Sequence, residues 1–134
     1  MQNEVFEYEV EIKEHHLDSF GHVNNSVYVK LFEEARWDFI TKGGFGLEKI
    51  LEMQKGPVIL DLKVKFRREL KNRERVKIYS TVIEASRLIV LQQTIKKTDG
   101  KISAEAVFTV GYFDMKERKL LEPSPEWLKS LGIR

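Results

Sequence analysis

The nine residues LDSFGHVNN, Leu17 to Asn25, gather a carboxylate, an imidazole, a glycine and two amides just ahead of an apolar-periodic stretch. A helix start leaves several backbone N–H groups without partners and carries partial positive charge. Asn24 or Asn25 is suited to cap such a helix. Donors left free there can polarise a carbonyl and hold an oxyanion, which points to Asn24, Asn25 and Ser26 as substrate contacts. Asp18 lies six or seven residues upstream, and Gly21 permits a bend that would fold the carboxylate back over the same spot as base or nucleophile. One loop then supplies both halves of an acyl-transfer site. A plainer use stands beside this one, because a loop acid before a helix commonly caps it or forms a turn, and asparagines are common in turns. His22 likewise fits a structural role as well as a substrate contact.

Other chemistries find less support. The chain has no cysteine, which excludes disulfides, thiol catalysis and cysteine-ligated zinc. His15 and His16 are adjacent in a stretch that reads as extended, where neighbours would point apart, so no metal site is expected from them. Glu33 and Glu34 fall off the apolar stripe of their helix and read as solvated charge. Neither a Ser-His-Asp pattern nor a phosphate-cradling glycine loop is present. The formal charge is +2 and the basic run Lys63 to Arg75 is interrupted by acids, so nothing in the charge calls for nucleic acid. No signal peptide or membrane-length apolar run is seen, and cytoplasmic residence is expected.

The elements that must position these residues follow from periodicity. VFEYEVEIK alternates, with Phe6, Tyr8, Val10 and Ile12 on one face, and reads as a half-buried strand. From Asn25 to about Lys42, Tyr28, Leu31, Phe32, Ala35 and Phe39 recur at helical steps, and Gly43-Gly44 ends the helix. A short helix is expected over Leu47 to Met53. VILDLKVKFR places Val58, Leu60, Leu62, Val64 and Phe66 on one face, with Lys63, Lys65 and Arg67 on the other. RVKIYSTVIEA, LIVLQQTIKK and ISAEAVFTVGYFD follow, the last two joined by the hairpin signal TDGK, and a short helix from Pro125 to Leu131 closes the chain. At 134 residues with 42% apolar residues this is one domain, residues 1–134. Strand, long helix, then consecutive strands without βαβ alternation imply an α+β fold, an antiparallel sheet of about five strands with the helix on its apolar face.

The stretch DSFGHVNNSVYVKLFEEAR, Asp18 to Arg36, resembles the signature of the hotdog-fold acyl-CoA thioesterases, specifically the 4-hydroxybenzoyl-CoA thioesterase-like group. It has the aspartate, the glycine turn, the polar helix entrance, Tyr28 ten residues on, and the Phe-Glu-x-Ala-Arg segment; the later hairpin is similar too. The resemblance implies an antiparallel sheet wrapped around the long helix, and a homo-oligomer, dimer or tetramer, with active sites at the subunit interface. It implies hydrolysis of an acyl-CoA to free acid and CoA, with the thioester carbonyl at the helix N-terminus and Asp18 as nucleophile or general base. Tyr28 would line the acyl tunnel, and Asn24, Asn25, Ser26 and His22 would contact substrate. Lys65, Arg67 and Arg68 would meet the CoA phosphates. No metal and no separate cofactor is expected. Two departures from the family pattern stand out: Asn25 replaces a histidine common in bacterial relatives, and FRRELKNRE has Arg68 at a proline position and Arg73-Glu74 where Gly-Asp is usual. A hydratase or dehydratase on the same fold, and a non-catalytic acyl-CoA-binding module, remain as alternatives.

Overall fold

The computed structural model describes residues 2–133. Its elements are β1 (Val5–Glu11), a 3-10 turn (Glu14–His16), α1 (Asn25–Lys42), α2 (Leu47–Met53), β2 (Lys55–Phe66), β3 (Arg75–Ala85), β4 (Ile89–Lys97), β5 (Ile102–Asp114), β6 (Lys119–Leu121) and α3 (Pro125–Ser130). The strands form one antiparallel sheet in the order β1-β3-β4-β5-β2, with the short β6 paired to β5. Six strands are present rather than about five, because β6 is three residues long and carries no readable alternation.

Helix α1 forms where the period predicts it. Its buried residues, Tyr28, Leu31, Phe32, Ala35, Phe39 and Ile40, make one stripe that lies on the sheet. Three aromatic pairs fix it along its length. Tyr28 meets Phe66 of β2 edge-on with centroids 5.2 Å apart, Phe32 meets Phe108 of β5 at 5.9 Å, and Phe39 stacks on Phe6 of β1 at 4.5 Å. A helix wrapped by an antiparallel sheet in this way is the hotdog fold. The β4–β5 hairpin turns through Thr98–Lys101, where Gly100 takes φ +85° and Asp99 Oδ1 accepts the Lys101 N–H at 2.9 Å.

Strand β2 departs from its expected pattern. A bulge at Leu60 breaks the register, so that Ile59 opposes Val110 while Asp61 opposes Thr109 and Leu62 opposes Phe108. One extra residue exchanges the two faces. Ile59, rather than Val58 or Leu60, therefore shares the face of the core residue Val110, whereas Leu62, Val64 and Phe66 beyond the bulge follow the expected face. That face is also less covered than expected: Ile59, Leu62 and Phe66 are exposed. The reason is position, since β2 is an edge strand bonded only to β5. The opposite edge, β1, carries the exposed Glu7 and Glu9 and is blunted by charge.

Candidate active site

The loop ahead of α1 is pinned by its own backbone. Leu17 and Val23 form an antiparallel bridge, Asp18 N–H donates to the His22 carbonyl at 2.9 Å, and Gly21 N–H donates to the Asp18 carbonyl at 3.0 Å. Gly21 takes φ +79°, which a side chain would oppose. Val23 N–H donates to Leu70 O at 3.2 Å and His22 bridges Lys71, which fastens the loop to the β2–β3 connection. Asp18 Oδ1 accepts the Phe20 N–H at 2.9 Å, an Asx turn. The second oxygen of this half-buried carboxylate takes no hydrogen bond among the described residues.

Asn24 caps the helix, and the cap occupies its side chain. Its Oδ1 accepts the Ser26 N–H at 3.0 Å and the Ser26 hydroxyl at 2.8 Å, while Val27 N–H donates to the Asn24 carbonyl at 2.9 Å. Of the first three N–H groups of α1, those of Ser26 and Val27 are taken up by Asn24, and that of Asn25 takes no partner among the described residues. Asn25 is exposed and opens on a groove of about 280 Å³ with Tyr28, Phe66, Arg67, Arg68 and Glu69. Burial pushes the Tyr28 phenol above its ordinary value, against the opposing pull of the Ser103 hydroxyl.

The groove thus joins Asn25, Tyr28, Arg67 and Arg68. Asp18, His22, Asn24, Ser26 and Lys65 do not line it. His22 Nε2 lies 3.2 Å from a Glu69 carboxylate oxygen. Lys65 sits opposite Glu105 in the β2–β5 register, and Arg67 Nε donates to that same Glu105 at 3.0 Å. Arg68 gives one N–H to the Ile102 carbonyl at 3.0 Å and forms no ion pair among the described residues, so its charge is the one left open at the rim. The unusual Arg73-Glu74 pair is structural. Arg73 takes φ +65°, the left-handed conformation a glycine would supply, and holds Glu14 through two N–H groups at 2.9 and 2.7 Å. Glu74 accepts the Lys71 N–H at 3.1 Å and pairs with Lys97 at 3.2 Å.

Farther along α1 stands a buried network that the sequence reading passes over. Arg36 lies on the ridge Tyr28–Phe32–Arg36–Ile40, its guanidinium 4.3 Å from the Phe108 ring centroid. It donates to Gln93 Oε1 at 2.9 Å, and the fully buried Gln93 donates to the Phe32 carbonyl at 3.0 Å and the Ser80 hydroxyl at 2.9 Å. Burial pulls Arg36 down to about 10, which leaves it charged at neutral pH. The signals were there: a cation four residues beyond Phe32 on an apolar ridge, and a glutamine inside the inward alternation Ile89, Leu91, Gln93, Ile95. Glu34, read as solvated charge, instead accepts the Tyr8 hydroxyl and holds that phenol up at about 12.

With this geometry in hand, likeness to known proteins is informative. Residues 12–131 match the model of the Thioesterase-like superfamily, so the chain belongs to that superfamily. It is 26% identical over 115 residues to the long-chain acyl-CoA thioesterase FadM of Escherichia coli (strain K12), covering 84% of this chain and 86% of that one. Among solved structures, the YbaW probable thioesterase of Escherichia coli superposes with a TM-score of 0.82 at 25% identity, over 94% of this chain and 98% of the other. A Staphylococcus aureus protein, SAV2348, solved in complex with CoA, superposes with a TM-score of 0.89 at 14% identity over 97% of this chain and 83% of its own, a likeness of fold.

Proposed function

We propose that this member of the Thioesterase-like superfamily is an acyl-CoA thioesterase of the cytoplasm, cleaving R–CO–S–CoA to the free acid and CoA. The observation that carries the reading is the helix entrance. There an unpartnered N–H, that of Asn25, belongs to a residue lining a groove with an aromatic wall and an open arginine, while the pinned loop ahead of the helix carries a carboxylate with one oxygen free among the described residues. The name of the FadM relative supports the substrate class, and among the described residues no helix is long and apolar enough to cross a membrane.

In the reaction, the thioester carbonyl oxygen accepts the Asn25 N–H at the positive end of α1. Removing one such donor in comparable sites costs about 3 kcal/mol of transition-state stabilisation. Asp18 takes a proton from water as the water oxygen bonds the carbonyl carbon. The C–S bond then breaks, and the departing thiolate recovers the proton from Asp18. The alternative route has Asp18 bond the carbon itself, expel the thiolate and be released by water in a second step. Either route needs only water and these protein groups, with no separate cofactor. Asn24 and Ser26 act through the cap, which sets the direction of the Asn25 N–H. Arg68 takes the first CoA phosphate contact, with Arg67 and Lys65 behind it.

Asp18 does not line the groove of its own chain, and the exposed apolar edge β2 calls for cover. Both are accounted for if two copies pair through β2, so that the site is completed at the interface of a homodimer, itself free to pair into a tetramer. The hydratase alternative requires His22 in the groove, and His22 does not line it, although its partner Glu69 does. A panel of acyl-CoA substrates with a thiol-release readout tests the proposal. Turnover with release of CoA is expected; tight binding of acyl-CoA without thiol release would leave a binding module instead.

A further inference from the structure

The groove at the start of α1 is not the only cavity on that side of the helix. A second, apolar cavity of about 120 Å³ lies farther along, bounded by Glu33, Arg36, Trp37, Ile59, Ile89 and Trp127. Both hollows open on the same flank. Asn25, Val29, Glu33 and Trp37 succeed one another at four-residue steps, as do Tyr28, Phe32, Arg36 and Ile40. On the sheet side β2 runs the other way, from Pro57 and Ile59 at the far cavity to Phe66 at the groove. Between them lie Leu62 and Val64, on the helix-facing side of an edge strand.

The far cavity's walls are mostly hydrocarbon, but a permanent cation stands in them. Arg36 makes one hydrogen bond to protein, to Gln93, and covers one ring face, and it has no carboxylate within ion-pair distance among the described residues. A guanidinium carries five N–H donors. With one of them on Gln93, an all-hydrocarbon occupant would offer no acceptor to any donor turned into the cavity, a costly arrangement. Glu33 lines the same cavity, so a carboxylate-bearing occupant would meet like charge. A neutral hydroxyl suits both, accepting from Arg36 and donating to Glu33.

We infer that the far cavity receives the distal end of the acyl chain and that Arg36 and Glu33 make it select a chain bearing a hydroxyl there over a plain alkyl chain. The inference rests on the thioesterase reading. The two hollows are centred some ten residues apart on α1, roughly 15 Å at 1.5 Å per residue. Carbon–carbon bonds of about 1.5 Å advance an extended chain by about 1.25 Å per carbon, so a chain of about twelve carbons spans the distance.

The test compares 12-hydroxydodecanoyl-CoA with dodecanoyl-CoA, each as kcat/KM relative to hexanoyl-CoA on the same protein; the hexanoyl chain is too short to reach the cavity. The native chain should prefer the hydroxylated substrate at least tenfold, and Arg36→Met should bring the two within twofold or invert them. Ile59→Trp, which fills the cavity from the edge strand, should lower the relative rate of both long substrates at least tenfold and decides the matter if Arg36→Met does not fold. No hydroxyl preference in the native chain, or ratios unmoved in the variants, overturns the inference while hexanoyl-CoA turnover keeps the thioesterase reading. Failure to cleave any of the three overturns both.

Discussion

Replacing Gln93 by leucine tests whether Arg36 is held in the interior by one side chain. Gln93 is fully buried and makes three hydrogen bonds, to Arg36, the Phe32 carbonyl and the Ser80 hydroxyl. Each bond contributes about 1 kcal/mol, and a charge that loses its acceptor inside a protein costs about 3–5 kcal/mol. Leucine returns some apolar burial, so a net loss of about 3–4 kcal/mol is expected. For 134 residues at about 2.1 cal/mol/K of unfolding entropy each, that loss lowers Tm by about 10–14 °C. The assay is thermal and urea unfolding at fixed protein concentration, on Gln93→Leu, Arg36→Met and the double variant. Methionine in place of Arg36 removes the stranded charge, so the double variant should be more stable than the sum of the singles predicts, by at least about 2 kcal/mol. Additivity within about 0.5 kcal/mol would refute the reasoning, because it would mean that Arg36 finds its stabilisation elsewhere.

Three further outcomes are expected. His16 sits below the ordinary histidine value, first because burial penalises its charged form and next because His15 lies beside it, and its Nδ1 accepts the Lys13 N–H at 2.9 Å. The unfolded chain therefore binds the proton more tightly, stability falls as pH drops below about 6.5, and His16→Gln should flatten that part of a Tm-against-pH curve; an unchanged curve would count against it. Leu62→Glu places a charge on the exposed apolar edge of β2 and should convert the proposed dimer to monomer in sedimentation at matched concentration, whereas an unaltered assembly would move the interface elsewhere. Arg73 occupies a left-handed position, so in urea unfolding Arg73→Gly should be more stable than Arg73→Ala by about 1 kcal/mol, and equal stabilities would deny the strain.

Much of the fold could be read from periodicity alone. The apolar steps from Tyr28 to Phe39 mark α1, and the alternation in β1, β3, β4 and β5 marks a one-sided antiparallel sheet. Strand β2 was harder, because a bulge has no fixed sequence mark and Leu60 looks like one more alternating residue. The site was legible as a place more than as a set of contacts. The cap was foreseen, but its consequence was not: with Asn24 taken up by the Ser26 N–H and hydroxyl, the N–H of Asn25 stays without a partner among the described residues. The Arg73-Glu74 departure from the family's Gly-Asp carries no mark of its role in the sequence, and the structure shows that it replaces a glycine's conformation by an arginine anchored on Glu14. Arg36 and Gln93 each break an apolar pattern at a single position, and only the packed structure shows that the two breaks meet.

The role of the Asp18 carboxylate is tested most directly by Asp18→Asn. Asparagine keeps an Oδ1 that can accept the Phe20 N–H, so the turn and the fold should survive with Tm unchanged. It lacks the basicity of the carboxylate, whose loss in comparable sites costs about 10²–10⁴-fold. Measured by thiol release from an acyl-CoA that the native chain cleaves, kcat should fall by that amount, with slow residual turnover if Asp18 is a base and complete loss if it is the nucleophile. A folded Asp18→Asn protein with native kcat would contradict the account.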